Sequence, residues 1–138
     1  MTKALAIAAF FTAAGLAQNS AVGNWQYVDG TKITFITTVE EGSQLKARIT
    51  KVTKDGKDDP AATCSKCSGD SKDKPMAGLL ILWDTKKDGE NWKDGKLLDP
   101  DTGRVVTGKV DVADGGRKLN VKGSVAFISK TQAWTKGP

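Results

Sequence analysis

Apolar and polar residues alternate in short runs along most of the chain after residue 22, and turn-forming residues separate the runs. Alternation of this kind predicts antiparallel strands with one buried face and one face in solvent. Asp-Gly pairs such as Asp29-Gly30 stand between several runs and are typical of hairpin turns. The alternating runs cover residues 24–27, 32–39, 45–50, 96–98, 106–112, 118–123 and 131–134.

Two segments depart from this alternation. Residues 77–83 are apolar on both faces, which suits a strand buried on two sides, and the polar residues 54–75 predict a long loop. The whole pattern predicts an all-β fold, an eight-stranded antiparallel up-and-down barrel, because closure of the sheet removes its exposed edges. The interior of such a barrel is filled by side chains or holds one small ligand.

The first 17 residues have the pattern of a secretory signal peptide. Lys3 precedes the apolar residues 4–16, and small residues stand at positions 15 and 17. The alternative is an uncleaved anchor, but a spanning helix needs about 20 apolar residues. We therefore expect residues 1–17 to be removed and residues 18–138 to form one domain with a long loop at 54–76. The protein would then be periplasmic or secreted, without stable membrane insertion.

The composition narrows the chemistry that the chain can perform. Its 138 residues include 21 Lys and Arg, 16 Asp and Glu, two Cys and no His, for a net charge of +5. Without imidazole there is no His-based triad and no His-ligated zinc, and two thiols cannot complete a cysteine-only zinc site. No carboxylate stands in an apolar context that would raise its pKa, so we expect no enzyme, no cofactor and no metal.

One segment combines basic and aromatic residues as a nucleic-acid surface would. Acidic residues alternate with the basic ones there, so the local charge is close to zero and no nucleic-acid partner is expected. The residues concerned are Lys86, Lys87, Lys93 and Lys96 beside Trp83 and Trp92, with Asp84, Asp88, Glu90 and Asp94 between them.

Cys64 and Cys67 form a C-x-x-C pair inside the long loop. In an oxidising compartment two neighbouring thiols are expected to form a disulfide. Thiol-exchange chemistry would require the first Cys at a helix N-terminus, and no helical period follows it here. A two-thiolate metal site shared with a partner is the remaining alternative.

The start of the first run, Gly23-Asn24-Trp25, resembles the G-x-W signature of lipocalins. In that family the Trp plugs one end of the barrel beneath a basic residue from the last strands. The resemblance implies a lipocalin-like (calycin) barrel in which Trp25 and Trp134 close one end, with Lys122 or Lys130 over the indole of Trp25.

Across residues 23–136 the chain also resembles a large bacterial family of exported proteins of unknown function with a lipocalin-like barrel. It departs from that family at Ser124, where an aromatic residue is usual, and at Lys122 and Lys130, where Arg is usual. The motifs that carry the resemblance are Cys64-x-x-Cys67-x-Gly69, Lys74-Pro75-Met76-x-Gly78-Leu79, Gly95-Lys96-Leu97-Leu98-Asp99-Pro100-x-x-Gly103, Leu119-x-Val121-x-Gly123 and Thr131-Gln132-x-Trp134.

The function expected from these features is the binding of a small apolar or amphipathic ligand without catalysis. Small residues on the inward faces, such as Gly108 and Gly123, would leave volume inside the barrel. The alternative is a structural or protein-interaction subunit of the cell envelope or cell exterior with a filled barrel. The residues expected to line the cavity are Phe35, Ile49, Leu80, Leu82, Val110 and Val121.

Overall fold

The structure, a computed structural model, describes residues 21–138. The expected signal peptide, residues 1–17, lies outside the described residues. Among those that are described, no helix is long and apolar enough to cross a membrane. The chain forms the strands β1 (Gly23–Asp29), β2 (Lys32–Glu41), β3 (Gln44–Lys54), β4 (Lys57–Asp58), β5 (Leu80–Trp83), β6 (Lys86–Asp88), β7 (Asn91–Asp99), β8 (Arg104–Ala113), β9 (Lys118–Val125) and β10 (Ile128–Lys136).

Eight of these strands form the barrel wall. The short strands β4 and β6 pair with β3 and β7. Each wall strand pairs antiparallel with the next wall strand along the chain. The last strand β10 then pairs with β1, where Trp25 lies opposite Lys136, and this pairing closes the sheet. The prediction of an eight-stranded antiparallel up-and-down barrel is confirmed.

The two ends of the barrel differ. We call the end where β1 begins and β10 finishes the closed end, because Trp25 is fully buried there. The opposite end, which we call the open end, carries the β1–β2 and β9–β10 turns, residues 100–103 between β7 and β8, and the long segment 59–79.

The long segment folds back onto the open end and is held by its own contacts. Cys64 and Cys67 form a disulfide, and both side chains are buried. The Cys64 amide donates to the carbonyl of Lys74 at 2.8 Å. A Cβ atom added at Gly103 would lie 1.8 Å from the carbonyl oxygen of Lys66, so the disulfide loop sits directly on the β7–β8 turn.

The inward face of β2 differs from the expectation for Phe35. The register places Ile36 opposite Trp25, and Ile36 is buried whereas Phe35 is only half-buried. The Lys51 ammonium lies over the Phe35 ring at 4.9 Å from its centroid, which places this ring on the outside of the barrel. The alternation was ambiguous here because β2 carries apolar side chains on both faces.

Gly108 and Gly123 do not leave the volume that was expected of them. A Cβ atom at Gly108 would come within 2.9 Å of the Leu97 Cβ and 3.2 Å of a Leu82 methyl group. A Cβ atom at Gly123 would come within 2.9 Å of a Val106 methyl group. Neighbouring side chains therefore already occupy the space over both glycines, and the open volume of the barrel lies elsewhere.

Candidate functional site

The barrel contains a cavity of about 340 Å³ that is reached from the open end. Its deep part is lined by buried apolar side chains from five different strands. A bulge in the β3–β5 pairing, between Ala47 and Arg48, lets both Ile81 and Leu82 of β5 be buried. The deep apolar lining consists of Ile36, Ile49, Ile81, Val121 and Trp134.

Polar groups lie nearer the mouth of the cavity. Tyr27, Thr34 and Ser124 line it near the open ends of their strands, whereas Gln132 lies deeper, opposite Val121 in the register. Gln132 is positioned by Trp134, whose indole Nε1 donates to the Gln132 Oε1 at 3.1 Å. The interior thus changes from apolar at depth to hydrogen-bonding groups above.

The rim of the cavity carries three cations and three carboxylates. Lys32 forms a salt bridge with Asp101, with 3.2 Å between Nζ and Oδ1. The pair is solvent-exposed, so its contribution to stability is about 0–1 kcal/mol. The other charged rim residues are Asp29, Asp99, Arg104 and Lys130. Because the two signs balance, the rim offers hydrogen-bonding groups to a ligand without a strong field of one sign.

The closed end is sealed by Trp25 and a buried hydroxyl group. The Trp25 indole Nε1 donates to the Thr38 Oγ1 at 3.1 Å and to the Ala21 carbonyl at 3.2 Å. The Gly23 amide donates to the same Thr38 oxygen at 3.0 Å, and the Thr38 hydroxyl donates to the Ala21 carbonyl. These bonds satisfy the polar groups that burial of the indole would otherwise leave unpaired.

Two features of the structure explain why the G-x-W motif begins with glycine. Gly23 has a φ of 152°, in the region that favours glycine, and a Cβ atom there would lie 3.0 Å from the Lys136 Nζ. That ammonium lies over the Trp25 ring at 4.6 Å from its centroid. The cation over the plug therefore comes from the end of β10, at Lys136, and not from Lys122 or Lys130.

The structure places the other predicted plug residues as follows. Trp134 is buried and stands two positions before Lys136, so the register sets it diagonally from Trp25 on the inward face. Lys130 lies at the opposite end, on the cavity rim. Lys122 is exposed and pairs in register with Lys109 and Thr131.

Only two of the residues expected to line a cavity do so. Ile49 and Val121 line it, whereas Leu82 and Val110 are fully buried in the packed core. Leu80 is half-buried and does not line the cavity, and Phe35 lies on the outside as described above.

Sequence reasoning missed several lining residues that a period of two could have found. Trp25 and Trp134 both face inward, so the same period places Tyr27 and Gln132 on the inward face and carries Lys130 to the mouth. Met76 had no such signal, because it comes from the long loop and reaches the cavity only through the fold of that loop.

Among residues 21–138, no group of three or more Cys, Asp or Glu side chains is placed to hold a metal ion.

A closed antiparallel barrel with one open mouth and a Trp-plugged opposite end is a lipocalin-like fold. The chain is similar in structure to protein HP1028 from the human pathogen Helicobacter pylori, described as belonging to the lipocalin family, with a TM-score of 0.71 and 20% sequence identity. The similarity covers 85% of this chain and 82% of that one, and at this identity it shows the fold alone.

The family is shown by the sequence of the barrel. Residues 23–136 match the DUF2147 family, described as an uncharacterized protein conserved in bacteria, and the chain belongs to this family. No curated protein matches the chain. The resemblance expected from the sequence motifs is confirmed both for the family and for the lipocalin-like barrel.

Proposed function

We propose that this protein binds one small apolar or amphipathic molecule in the barrel cavity and releases it unchanged. The observation that carries the proposal is the open, apolar-lined cavity of about 340 Å³. Ligand pockets run from about 300 to 1,000 Å³, so this volume suits a ligand at the small end of that range.

The order of the lining groups supports an amphipathic ligand. An apolar body placed against Ile36, Ile49 and Val121 would leave water, and burial of apolar area contributes about 25 cal/mol per Å². A polar head would then lie at the level of Tyr27 and Ser124 or at the charged rim, where it keeps hydrogen bonds.

Binding without turnover fits the chemistry of the same groups. The chain has no His, and two of the rim carboxylates, Asp29 and Asp101, are exposed to solvent. Both stand at the rim, away from the apolar depth of the cavity where the body of a bound molecule would lie. The cavity therefore supplies shape and apolar contact more readily than proton transfer.

We also propose that the protein acts outside the cytoplasm, in the periplasm or as a secreted protein. The signal-peptide pattern of residues 1–17 supports export. The Cys64–Cys67 disulfide fits the same compartment, because disulfides persist where the surroundings are oxidising.

The test of ligand binding uses a cavity-filling substitution and a matched control on the same strand. Val106 of β8 lines the cavity, and Thr107 beside it is exposed. The protein is purified from the periplasm or medium for native mass spectrometry, and its melting temperature is measured against a panel of fatty acids, lysophospholipids and aromatic molecules. We expect a stabilising member of the panel that Val106→Trp no longer binds and Thr107→Trp still binds.

Two results would overturn the proposal. One is the absence of both a co-purified small molecule and a thermal shift across the panel. The other is a shift that survives Val106→Trp unchanged, because the ligand would then lie outside the barrel. Either result would favour the structural or protein-interaction role for the barrel.

A further inference from the structure

The turn between β9 and β10 projects apolar side chains into solvent at the open end. We call residues 125–128 the hairpin tip. Phe127 is fully exposed, with a relative exposure of 104%, and Ile128 and Val125 are exposed to 72% and 48%. Val125 and Ile128 also line the cavity mouth, so the tip is continuous with the proposed entry route.

Turn geometry does not explain this sequence. Val125 pairs with Ile128, which leaves Ala126 and Phe127 as a two-residue turn, and Ala126 has a φ of 54°. Two-residue hairpin turns favour Asn, Asp and Gly, because these residues adopt positive φ at low cost. Ala and Phe are neither residues that favour this turn conformation nor the polar residues usual in an exposed turn. The sequence of the tip therefore indicates another role.

The strands behind the tip carry charge of one sign. From residue 115 to residue 138 the chain contains five Lys or Arg residues and no Asp or Glu. Lys122 and Lys130 lie on the half of the hairpin nearer the tip, whereas the other three lie at the closed end. Lys130 stands two residues after Ile128 at the mouth, and Arg104 lies on the same rim. Lys109 of β8 lies opposite Lys122 in the register but forms a salt bridge with Asp111, with 3.8 Å between Nζ and Oδ2.

We propose that the hairpin tip docks the barrel onto an anionic phospholipid surface, with Phe127 and Ile128 in the interfacial region and Lys130 near the phosphates. An exposed aromatic and aliphatic tip backed by basic residues has the two attractions that hold a protein at an anionic bilayer surface. The contact is peripheral, and it does not depend on whether the cavity holds a ligand.

Lipid fits the tip better than a protein partner does. A standard protein interface buries about 800 Å² on each partner, which a convex turn of four residues does not present. Asp29 at the end of β1 and Asp101 in the β7–β8 turn flank the tip, because β1 pairs with β10 and β8 pairs with β9. Asp101 is paired with Lys32, and an anionic surface would repel Asp29, so the expected contact is confined to the tip and the cations nearest to it.

The first test measures binding to vesicles by flotation. Wild-type protein is compared with Phe127→Ser on vesicles of phosphatidylglycerol and of phosphatidylcholine. We expect binding to phosphatidylglycerol that weakens about tenfold in Phe127→Ser, since one large apolar side chain no longer leaves water. Binding should also fall at about 0.5 M salt, because ions screen the basic residues.

The matched control is Val39→Ser. Val39 is 40% exposed on β2, near the closed end and away from the tip. It should leave vesicle binding unchanged. Thermal unfolding of both variants checks that they remain folded, which their exposure predicts.

A second test shows whether the tip itself contacts the vesicle, and not the N-terminal residues that all variants share. An environment-sensitive fluorophore is attached through Ser129→Cys beside the tip or, as control, through Thr135→Cys near the closed end; both positions are exposed. The native thiols are joined in the disulfide and do not react. We expect a blue shift on phosphatidylglycerol vesicles at position 129 only.

Two results would overturn the proposal of lipid docking. Equal flotation of wild-type and Phe127→Ser protein together with no shift at position 129 overturns the proposal. A concentration-dependent dimer that Phe127→Ser abolishes, without any vesicle binding, also overturns it and assigns the tip to contact between two copies of the chain.

Discussion

Substitution of Thr38 by Val tests the hydrogen bonds that seal the closed end. The two side chains have nearly the same shape, so the change removes one hydroxyl group and little packing. Thr38 is 1% exposed, and its oxygen receives hydrogen bonds from the Gly23 amide and the Trp25 indole. The indole keeps its bond to the Ala21 carbonyl, whereas the Gly23 amide loses its partner.

The expected loss of stability follows from the hydrogen-bond partner that the Gly23 amide loses. The substitution removes a buried hydroxyl that accepts two hydrogen bonds and leaves the part-buried Gly23 amide without its acceptor. Such a loss costs about 1–3 kcal/mol, so we expect Thr38→Val to lower the free energy of unfolding by about 2 kcal/mol. With a urea m-value of about 1–3 kcal/mol/M, the midpoint of unfolding should fall by roughly 1 M. The assay is urea unfolding followed by tryptophan fluorescence, with the m-value fitted separately for each variant.

The neighbouring residue supplies the control. The Thr37 hydroxyl donates to the Asn24 side chain at 2.9 Å on the exposed face of β2. Water can replace that bond, so Thr37→Val should change stability by less than about 0.5 kcal/mol. Equal effects of the two substitutions, or a loss below about 0.5 kcal/mol for Thr38→Val, would refute the role assigned to the buried hydroxyl.

The other predictions concern the plug and the disulfide. Trp25→Ala should lower stability by about 3–5 kcal/mol in urea unfolding, because it removes a fully buried large side chain, and a loss below about 1 kcal/mol would contradict the plug role. Cys64→Ser combined with Cys67→Ser should lower stability by roughly 2 kcal/mol without changing the circular dichroism of the barrel, because the disulfide closes a short loop. The exported protein should contain no free thiol, also after unfolding without reductant, and two reactive thiols in the native state would exclude the disulfide.

The sequence was sufficient for the class of fold. Alternation over residues 45–50, 106–112 and 118–123 identifies strands with one buried face. The short turns that join most neighbouring strands allow antiparallel pairing only. The spacing of runs then leads to a closed barrel, because an open sheet of that length would expose two edges. The G-x-W motif marks the inward Trp of the first strand, so the sequence also predicts the position of the plug.

The sequence pattern alone did not determine which face of each strand points into the barrel. A period of two separates the faces of a strand but does not say which one is inside when both carry apolar side chains, and a slip of one residue exchanges them. In β2, pairing with Trp25 turns Ile36 inward and Phe35 outward. The bulge between Ala47 and Arg48 similarly buries two consecutive residues of β5, which alternation cannot express.

Contacts between residues far apart in the chain were decided by the tertiary structure alone. Closure of β1 against β10 brings Lys136 over Trp25. Lys122 of β9 and Lys130 of β10 are equally basic, and the sequence alone does not distinguish them from Lys136. The cavity volume depends on how Leu82, Leu97 and Val106 fill the space over two glycines. The local sequence determines backbone preference and polarity, whereas register, bulges and packing determine which side chains meet and how much space they leave.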